Sequence, residues 1–131
     1  MIEFFIPMVL PTVTHQQKKV AVVKGKPVFY EPDELKDARQ KFTVHLGKYT
    51  PGEKFTGAVR LITKWCYKTT GKHVNGEYKT SKPDTDNMIK LLKDVMKDLG
   101  YFAKDDAQVA SEITEKFWAD VPGIYVRIEK L

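Results

Sequence analysis

The spacing of apolar residues divides the chain into several strands and two helices. Alternating or β-branched runs predict strands over residues 2–10, 18–23, 27–30, 56–67, 109–118 and 123–129. A proline followed by two acids, in Glu31-Pro32-Asp33-Glu34, predicts a first helix that runs to about His45 and stops at Leu46-Gly47. This order is typical of one α+β domain over residues 1–131, with a small mixed sheet on which two helices pack.

A second helix is predicted from Asp84 or Asp86 to Leu99, with Gly100 as its stop. At about 100° per residue, its apolar side chains fall on one side: Met88, Leu91, Leu92, Val95 and Leu99. Its charged side chains fall on the opposite side: Asp86, Lys90, Asp94 and Lys97. Because the apolar side must pack on the sheet, the charged side is expected to face solvent. Ion pairs one turn apart explain the later charges but not two acids together at the helix entry.

The composition is that of an ordinary folded protein, with 42% apolar and 11% aromatic residues. The one cysteine, Cys66, excludes an intramolecular disulfide and a Cys-rich zinc site, and the three histidines lack ligand spacing. The first ten residues are apolar, but prolines interrupt them and no basic segment precedes them. We therefore expect no signal peptide and no membrane span, and a reducing cytoplasm as the compartment.

The net charge of +5 is concentrated in one segment. Residues 60–82 hold six basic residues against one acid, Glu77, so they account for the whole net charge. A cationic segment of this kind can attract a polyanion, although a solvated basic loop is the alternative. Its position directly before an acidic motif favours the polyanion. The polar stretch that contains Lys18 and Lys19 can also contact phosphates, and a solvated turn explains it nearly as well.

Paired acids stand where the second helix begins and again after it ends. Asp84 and Asp86 are two positions apart, and Asp105 and Asp106 follow the helix. Carboxylates held close together repel each other unless a cation or a proton lies between them. Mg²⁺ is the usual partner, because it takes oxygen ligands and leaves positions for phosphate and water. Acids at a helix N-terminus are also ordinary capping residues, so the DxD motif by itself leaves both interpretations open.

The segment KPDTDNMIK, followed by GYFAKDDAQV, resembles the signature of the RusA family of Holliday-junction resolvases. That signature is PD-x-DN-(aliphatic)-x-K, a helix with a further Asp, then DD-(small)-Q-(aliphatic) and a strand bearing a lysine. The matching positions are Pro83, Asp84, Asp86, Asn87, Lys90, Asp94, Asp105, Asp106, Gln108, Val109 and Lys116. In several relatives arginines precede the motif, whereas this chain has Lys79, Thr80, Ser81 and Lys82. Lysine binds phosphate without bidentate geometry.

The resemblance assigns roles residue by residue. The implied catalytic residues are Asp84, Asp86, Lys90 and Asp106. The three aspartates are the implied metal ligands, and a ligand role for Asp105 is left open. Asn87 and Gln108 are expected to orient the carboxylates, a common need at metal sites. The lysines expected to contact DNA are Lys18, Lys19, Lys68, Lys72, Lys79, Lys82 and Lys116.

The resemblance implies an enzyme encoded by a bacterium or prophage that cuts four-way junctions by paired symmetric nicks. Its implied cofactor is Mg²⁺, for which Mn²⁺ is expected to substitute, and no organic cofactor is implied. Cutting two opposed strands requires two sites related by a twofold axis, so a homodimer is expected. The alternatives are another DxD metal-dependent nuclease for flaps or forks, a catalytically silent junction-binding protein, and a structural or interaction protein.

The aromatic residues give one further candidate contact. Trp65, Phe117 and Trp118 stand in predicted strands, where core packing is expected for most of them. Tyr78 lies in the loop before the acidic motif and could stack on an unpaired base at the crossover. A core or plain loop position remains the simpler interpretation of Tyr78.

Overall fold

The computed structural model describes residues 1–11, 19–30 and 33–131. Its strands are β1 (Ile2–Pro7), β2 (Lys19–Val23), β3 (Lys26–Tyr30), β4 (Val59–Lys68), β5 (Val109–Ala119) and β6 (Gly123–Lys130). Its helices are α1 (Asp33–Gly47) and α2 (Thr85–Leu99), and a 3-10 turn at Asp106–Gln108 leads into β5. Lys18 and the expected helix start at Glu31-Pro32 lie outside the described residues.

Four strands form one mixed sheet in the order β1-β6-β4-β5. β6 runs antiparallel to both of its neighbours, whereas β4 and β5 run parallel. Parallel neighbours cannot be joined by a tight turn, so the chain must cross over between them, and α2 lies in that crossover. The mixed sheet and two helices confirm the predicted α+β class.

The core lies on one face of this sheet. Every second residue of β4 is buried, from Val59 to Tyr67, because successive side chains of a strand point to opposite faces. Phe42 of α1 meets Trp65 edge to face on this side, with ring centroids 5.9 Å apart. The buried hydroxyl of Thr63 accepts a hydrogen bond of 3.0 Å from the Trp65 indole. The prediction that Trp65 packs in the core is confirmed.

α2 packs through its apolar stripe, as predicted. Its buried residues are Met88, Ile89, Leu91, Leu92, Val95 and Met96, and Leu99 is partly buried. The helix ends at Gly100, whose φ of 87° lies in the left-handed region that favours glycine. The buried Tyr101 hydroxyl then donates to the Leu46 carbonyl at 2.6 Å, which ties the end of α2 to the end of α1. Neither α2 nor any other helix among the described residues is long and apolar enough to cross a membrane.

Two strand boundaries differ from the predicted ones, at the end of β1 and at the start of β4, which begins at Val59 and not at residue 56. β2 and β3, both predicted as strands, pair as a hairpin, and Lys24 and Gly25 at its turn both have positive φ, as a two-residue turn requires. β1 ends at Pro7 and not at residue 10 as predicted. Pro7 pairs with Gly123, where β6 begins, so the start of the partner strand sets the length of β1.

Candidate active site

Asp84 and Asp86 stand at the start of α2 with exposed side chains. Asp84 is the N-cap residue and has an extended backbone, with φ −72° and ψ 148°, yet its side chain makes no capping hydrogen bond. An N-cap aspartate normally accepts a hydrogen bond from a backbone N–H two or three residues later. The capping interpretation of the motif therefore lacks its hydrogen bond, and both carboxylates are open to a ligand.

Lys116 of β5 forms hydrogen bonds with the loop that leads to Asp84. Its Nζ donates to the carbonyl oxygens of Ser81 at 2.6 Å and Pro83 at 2.9 Å. Lys116 is in register with the buried Trp65, so its side chain leaves the sheet on the face that the helices cover. A lysine expected at the DNA is thus engaged with the backbone of its own chain.

Lys79 is also turned toward the protein. Its side chain is only 9% exposed, and its Nζ lies 4.4 Å from the ring centroid of Trp118 and 5.2 Å from that of Tyr67. The ammonium also donates to the Ser81 hydroxyl. Burial lowers the pKa of Lys79, and the charge of Lys116 lowers it further. Because aromatic faces attract cations, the two rings offset part of the cost of burying this charge.

The second acidic pair stands on the 3-10 turn. Asp105 is the N-cap residue of this turn, and its Oδ1 accepts from the Ala107 N–H at 3.0 Å. The Gln108 amide accepts from the N–H groups of Lys104 and Asp105 and donates to the carbonyls of Phe55 and Gly57. Gln108 therefore holds the backbone that carries the acids, whereas the sequence predicts a contact with the carboxylates themselves.

Asp105 and Asp106 influence each other's protonation. Burial raises the pKa of Asp106, and a hydrogen bond with Asp105 and the charges of Asp105 and Asp94 raise it further. The pKa of Asp105 is lowered, first by the hydrogen bond from Asp106 and then by the one from the Ala107 N–H. Two acids that share a proton in this way can also share a cation, and carboxylate oxygens are the ligands that a hard divalent ion takes.

A single chain does not bring Asp106 together with Asp84 and Asp86. Asp106 lies near the second half of α2, since the charge of Asp94 acts on it and Lys97 approaches Asp105 to 3.7 Å. Asp86 precedes Asp94 by two turns, about 12 Å along the helix axis. Among the described residues, no group of three His, Cys, Asp or Glu side chains is close enough to hold an ion. In one chain the two acidic pairs therefore stand at opposite ends of α2.

The solvent side of α2 connects these two acidic pairs. Lys90 is exposed one turn after Asp86, and Asp94 follows one turn later. Sequence reasoning gave Asp94 no role at the site, although the structure places it near Asp106. The available signal was its spacing, since it lies on the same charged side as Asp86 and Lys90.

The lysines expected at DNA divide into groups. Lys68, Lys72 and Lys82 are exposed on or after β4, and Lys68 donates to the Asp120 carbonyl at 2.7 Å. Lys79 and Lys116 are turned inward, as described above. Lys18 and the side chain of Lys19 lie outside what the structure describes. Lys72 and Lys82 remain available to phosphates, and the exposed Lys68 shares its ammonium with the Asp120 carbonyl.

Two other candidates occupy defined positions. Tyr78 is 62% exposed, stacks on Phe117 with centroids 4.7 Å apart and donates to Glu115 at 3.0 Å, so it faces away from the helices. Its expected stacking on a base stays a prediction. The Oδ1 atom of Asn87 is buried and accepts no hydrogen bond within the described part of the chain. Its expected role in orienting the carboxylates stays a prediction.

The described residues thus form a mixed sheet with a helix crossover, an uncapped DxD motif at a helix start and an acidic turn, in a chain of net charge +5. The family described as endodeoxyribonuclease RusA matches residues 9–129, and the chain belongs to that family. It is 37% identical over 102 residues to the crossover junction endodeoxyribonuclease rusA of Lactococcus phage r1t, covering 76% of this chain and 75% of that protein. It is also 28% identical over 123 residues to the uncharacterized protein YqaN of Bacillus subtilis strain 168, covering 85% and 84%. Nucleases of this family require a divalent metal ion in general.

Proposed function

We propose that this protein is a Mg²⁺-dependent endonuclease that resolves four-way DNA junctions by paired symmetric nicks. The observation that carries the proposal is the exposed Asp84 carboxylate, which caps nothing and stands beside Asp86 in the family's signature. The phage relative is named a crossover junction endodeoxyribonuclease. Mn²⁺ would substitute because carboxylate sites also suit it. The enzyme would act in the cytoplasm, where its DNA substrate lies.

Each residue of the proposed site has a defined task. Asp84 and Asp86 would hold the ion from the start of α2, and Asp106 would complete the ligand set. The bound ion would supply a lowered pKa for an attacking water and charge to offset that on the phosphate. Lys90 stands one turn after Asp86 on the solvent side, where its ammonium can contact the same phosphate.

DNA binding in this proposal rests on exposed cations outside the metal site. Lys68, Lys72 and Lys82 are exposed in the segment that precedes the motif, so they can contact phosphates that flank the cut. Contacts of this kind set the register on DNA and carry no sequence information directly. The junction would therefore be recognised mainly by its shape and backbone charge.

Two chains together can bring the acids of the proposed metal site close to one another. If α2 of one protomer packs antiparallel to α2 of its partner about a twofold axis, the start of each helix meets the second half of the other. Asp84 and Asp86 of one protomer then approach the partner's Asp94 and the partner's Asp106. Each dimer would hold two such sites, which is the number that paired nicks require.

The charges along α2 support this antiparallel arrangement. The solvent side carries an acid, a base, an acid and a base in order, at Asp86, Lys90, Asp94 and Lys97. Read in the opposite direction the order is complementary, so basic positions of one helix lie near acidic positions of the other. A twofold interface requires a self-complementary surface of this kind.

Cleavage of a labelled mobile four-way junction, with and without Mg²⁺, tests the proposal. Paired symmetric nicks should form only with the metal, and flaps and linear duplexes should be cut much more slowly. Asp86→Asn should reduce cleavage by at least about 10²-fold, since it removes a ligand of the ion that would offset the charge on the phosphate, while junction binding is kept or improved. Asp98→Asn, on the same helix, is the matched control. If no branched DNA is cut with Mg²⁺, the silent junction-binding alternative replaces this proposal.

A further inference from the structure

We infer that Lys116 is a positioning residue for the DxD motif and not a DNA contact. It fixes the backbone from which Asp84 and Asp86 project into the site. This inference rests on the proposed function, because it concerns how the proposed metal ligands are held in place.

The loop before α2 lies along β5 for only part of its length. Main-chain hydrogen bonds join the Trp118 N–H to the Glu77 carbonyl at 2.8 Å and the Lys79 N–H to the Lys116 carbonyl at 3.0 Å. Beyond Lys79, the contact with β5 passes to the Lys116 side chain. Its ammonium reaches Ser81 and Pro83 and so extends the support of the strand to the residue before Asp84.

The geometry of this contact is specific to the entry of α2. The Pro83 carbonyl belongs to the peptide group that joins Pro83 to Asp84, so the hydrogen bond of 2.9 Å acts directly on that link. Hydrogen bonds from an ammonium are stronger than those between neutral groups. Asp84 supplies no capping hydrogen bond of its own. The start of the helix is therefore held from the sheet, which leaves the Asp84 carboxylate for a ligand.

The support is anchored in the rigid part of the fold. Lys116 is in register with the fully buried Trp65 on the central strand β4. Lys79 strengthens the same loop, because it donates to the Ser81 hydroxyl from its position over the Trp118 ring. Residues that orient metal ligands in this way typically change metal affinity or activity by about 10- to 100-fold when removed.

Lys116→Met and Lys116→Arg test the inference, with Lys93→Met as the matched control. Lys93 is also partly buried and is paired with Glu112 at 2.7 Å, away from the motif loop. One measurement is the Mg²⁺ concentration that gives half of the metal-induced rise in melting temperature. The other is the salt dependence of junction binding without Mg²⁺.

We expect Lys116→Met to raise the half-saturating Mg²⁺ concentration by about 10- to 100-fold, with the same shift in cleavage. Junction affinity and its salt dependence should stay as in the wild type, and Lys116→Arg should restore most of the Mg²⁺ response because it keeps several donors. If Lys116→Met cannot be purified folded, Lys116→Gln replaces it with the same expected direction.

Two results would overturn the inference. A weaker junction affinity, with a salt slope reduced by about one and an unchanged Mg²⁺ response, would make Lys116 a phosphate contact. Alternatively, Lys116→Met could melt at a lower temperature while its Mg²⁺ response changes no more than that of Lys93→Met. Lys116 would then have a merely structural role. Both results presuppose a wild type that binds Mg²⁺ and cuts junctions. A wild type that does neither would instead contradict the proposed function.

Discussion

Asp84 and Asp105 are both aspartates at N-cap positions, and their side chains are used in opposite ways. The Asp105 carboxylate accepts from the Ala107 N–H, whereas the Asp84 carboxylate makes no capping hydrogen bond. An unused cap costs a helix about 0.5–2 kcal/mol relative to a used one. A side chain that leaves this stabilisation unused is better explained by a ligand than by the helix.

The charged Asp106 carboxylate should lower the stability of the metal-free protein at neutral pH. Its folded-state pKa is raised, mainly by burial, so its charged form is less favourable in the folded state than in the unfolded state. Stability from this group is present below the ordinary carboxyl pKa and is lost as the pH rises through the raised value. Asp106→Asn should therefore raise the melting temperature in EDTA at pH 7, and the gain should vanish in acid.

Thermal melts in EDTA from pH 3 to pH 8 check this prediction. Asp37→Asn, at an exposed position on α1, is the control and should leave the curve unchanged. Added Mg²⁺ should stabilise the wild type more than Asp106→Asn. Equal melting temperatures for Asp106→Asn and the wild type at pH 7 would show that the carboxylate is not strained in the folded state.

At the level of elements, the sequence predicts what depends on local periodicity. The apolar stripe of α2 and its end at Gly100 follow from spacing and from glycine's conformational freedom, and the structure confirms both. The end of β1 at Pro7 depends instead on where β6 begins, more than a hundred residues later. The parallel pairing of β4 with β5 is equally a property of the assembled sheet, so no local pattern specifies it.

The same division holds for the candidate site. The DxD and DD motifs are visible as sequence, and the structure places them at the predicted helix entry and after the helix. The direction in which Lys116 points depends on its register with Trp65, which only the paired strands define. For the same reason, a charge count assigns Lys79 to a cationic surface, whereas packing places it over Trp118.

Gln108 should stabilise the fold by joining two segments. Its amide bonds the acidic turn to the loop before β4, at the carbonyls of Phe55 and Gly57. Gln108→Ala removes these hydrogen bonds and should lower the free energy of unfolding by about 1–3 kcal/mol. Urea denaturation measures this change, with the exposed Gln40→Ala as the control. A loss no larger than that of the control would mean that other contacts hold the turn.

At the scale of the whole molecule, the distribution of charge separates binding from chemistry. The cations of residues 60–82 account for the net charge of +5, while the acids stand at both ends of α2. A polyanion can be attracted by the cationic segment, whereas the acids at the ends of α2 would repel it unless a cation neutralises them. Because the two ends of α2 are about 20 Å apart, a second protomer is the direct way to unite their acids.

Co-expression of two inactive variants tests whether each site combines acids from two protomers. Co-expressing Asp86→Asn with Asp106→Asn yields heterodimers in which one site combines an intact Asp86 with an intact Asp106 from the other chain. Each heterodimer should nick one strand of a junction, and a statistical mixture should recover about a quarter of wild-type nicking. Co-expressing Asp86→Asn with Asp84→Asn is the control and should restore nothing, since both residues lie at the same end of α2.

Gel analysis of nicks on each labelled strand separates these outcomes. If Asp86→Asn with Asp106→Asn recovers no more nicking than the control, each site lies within a single chain, and the antiparallel arrangement of α2 is wrong.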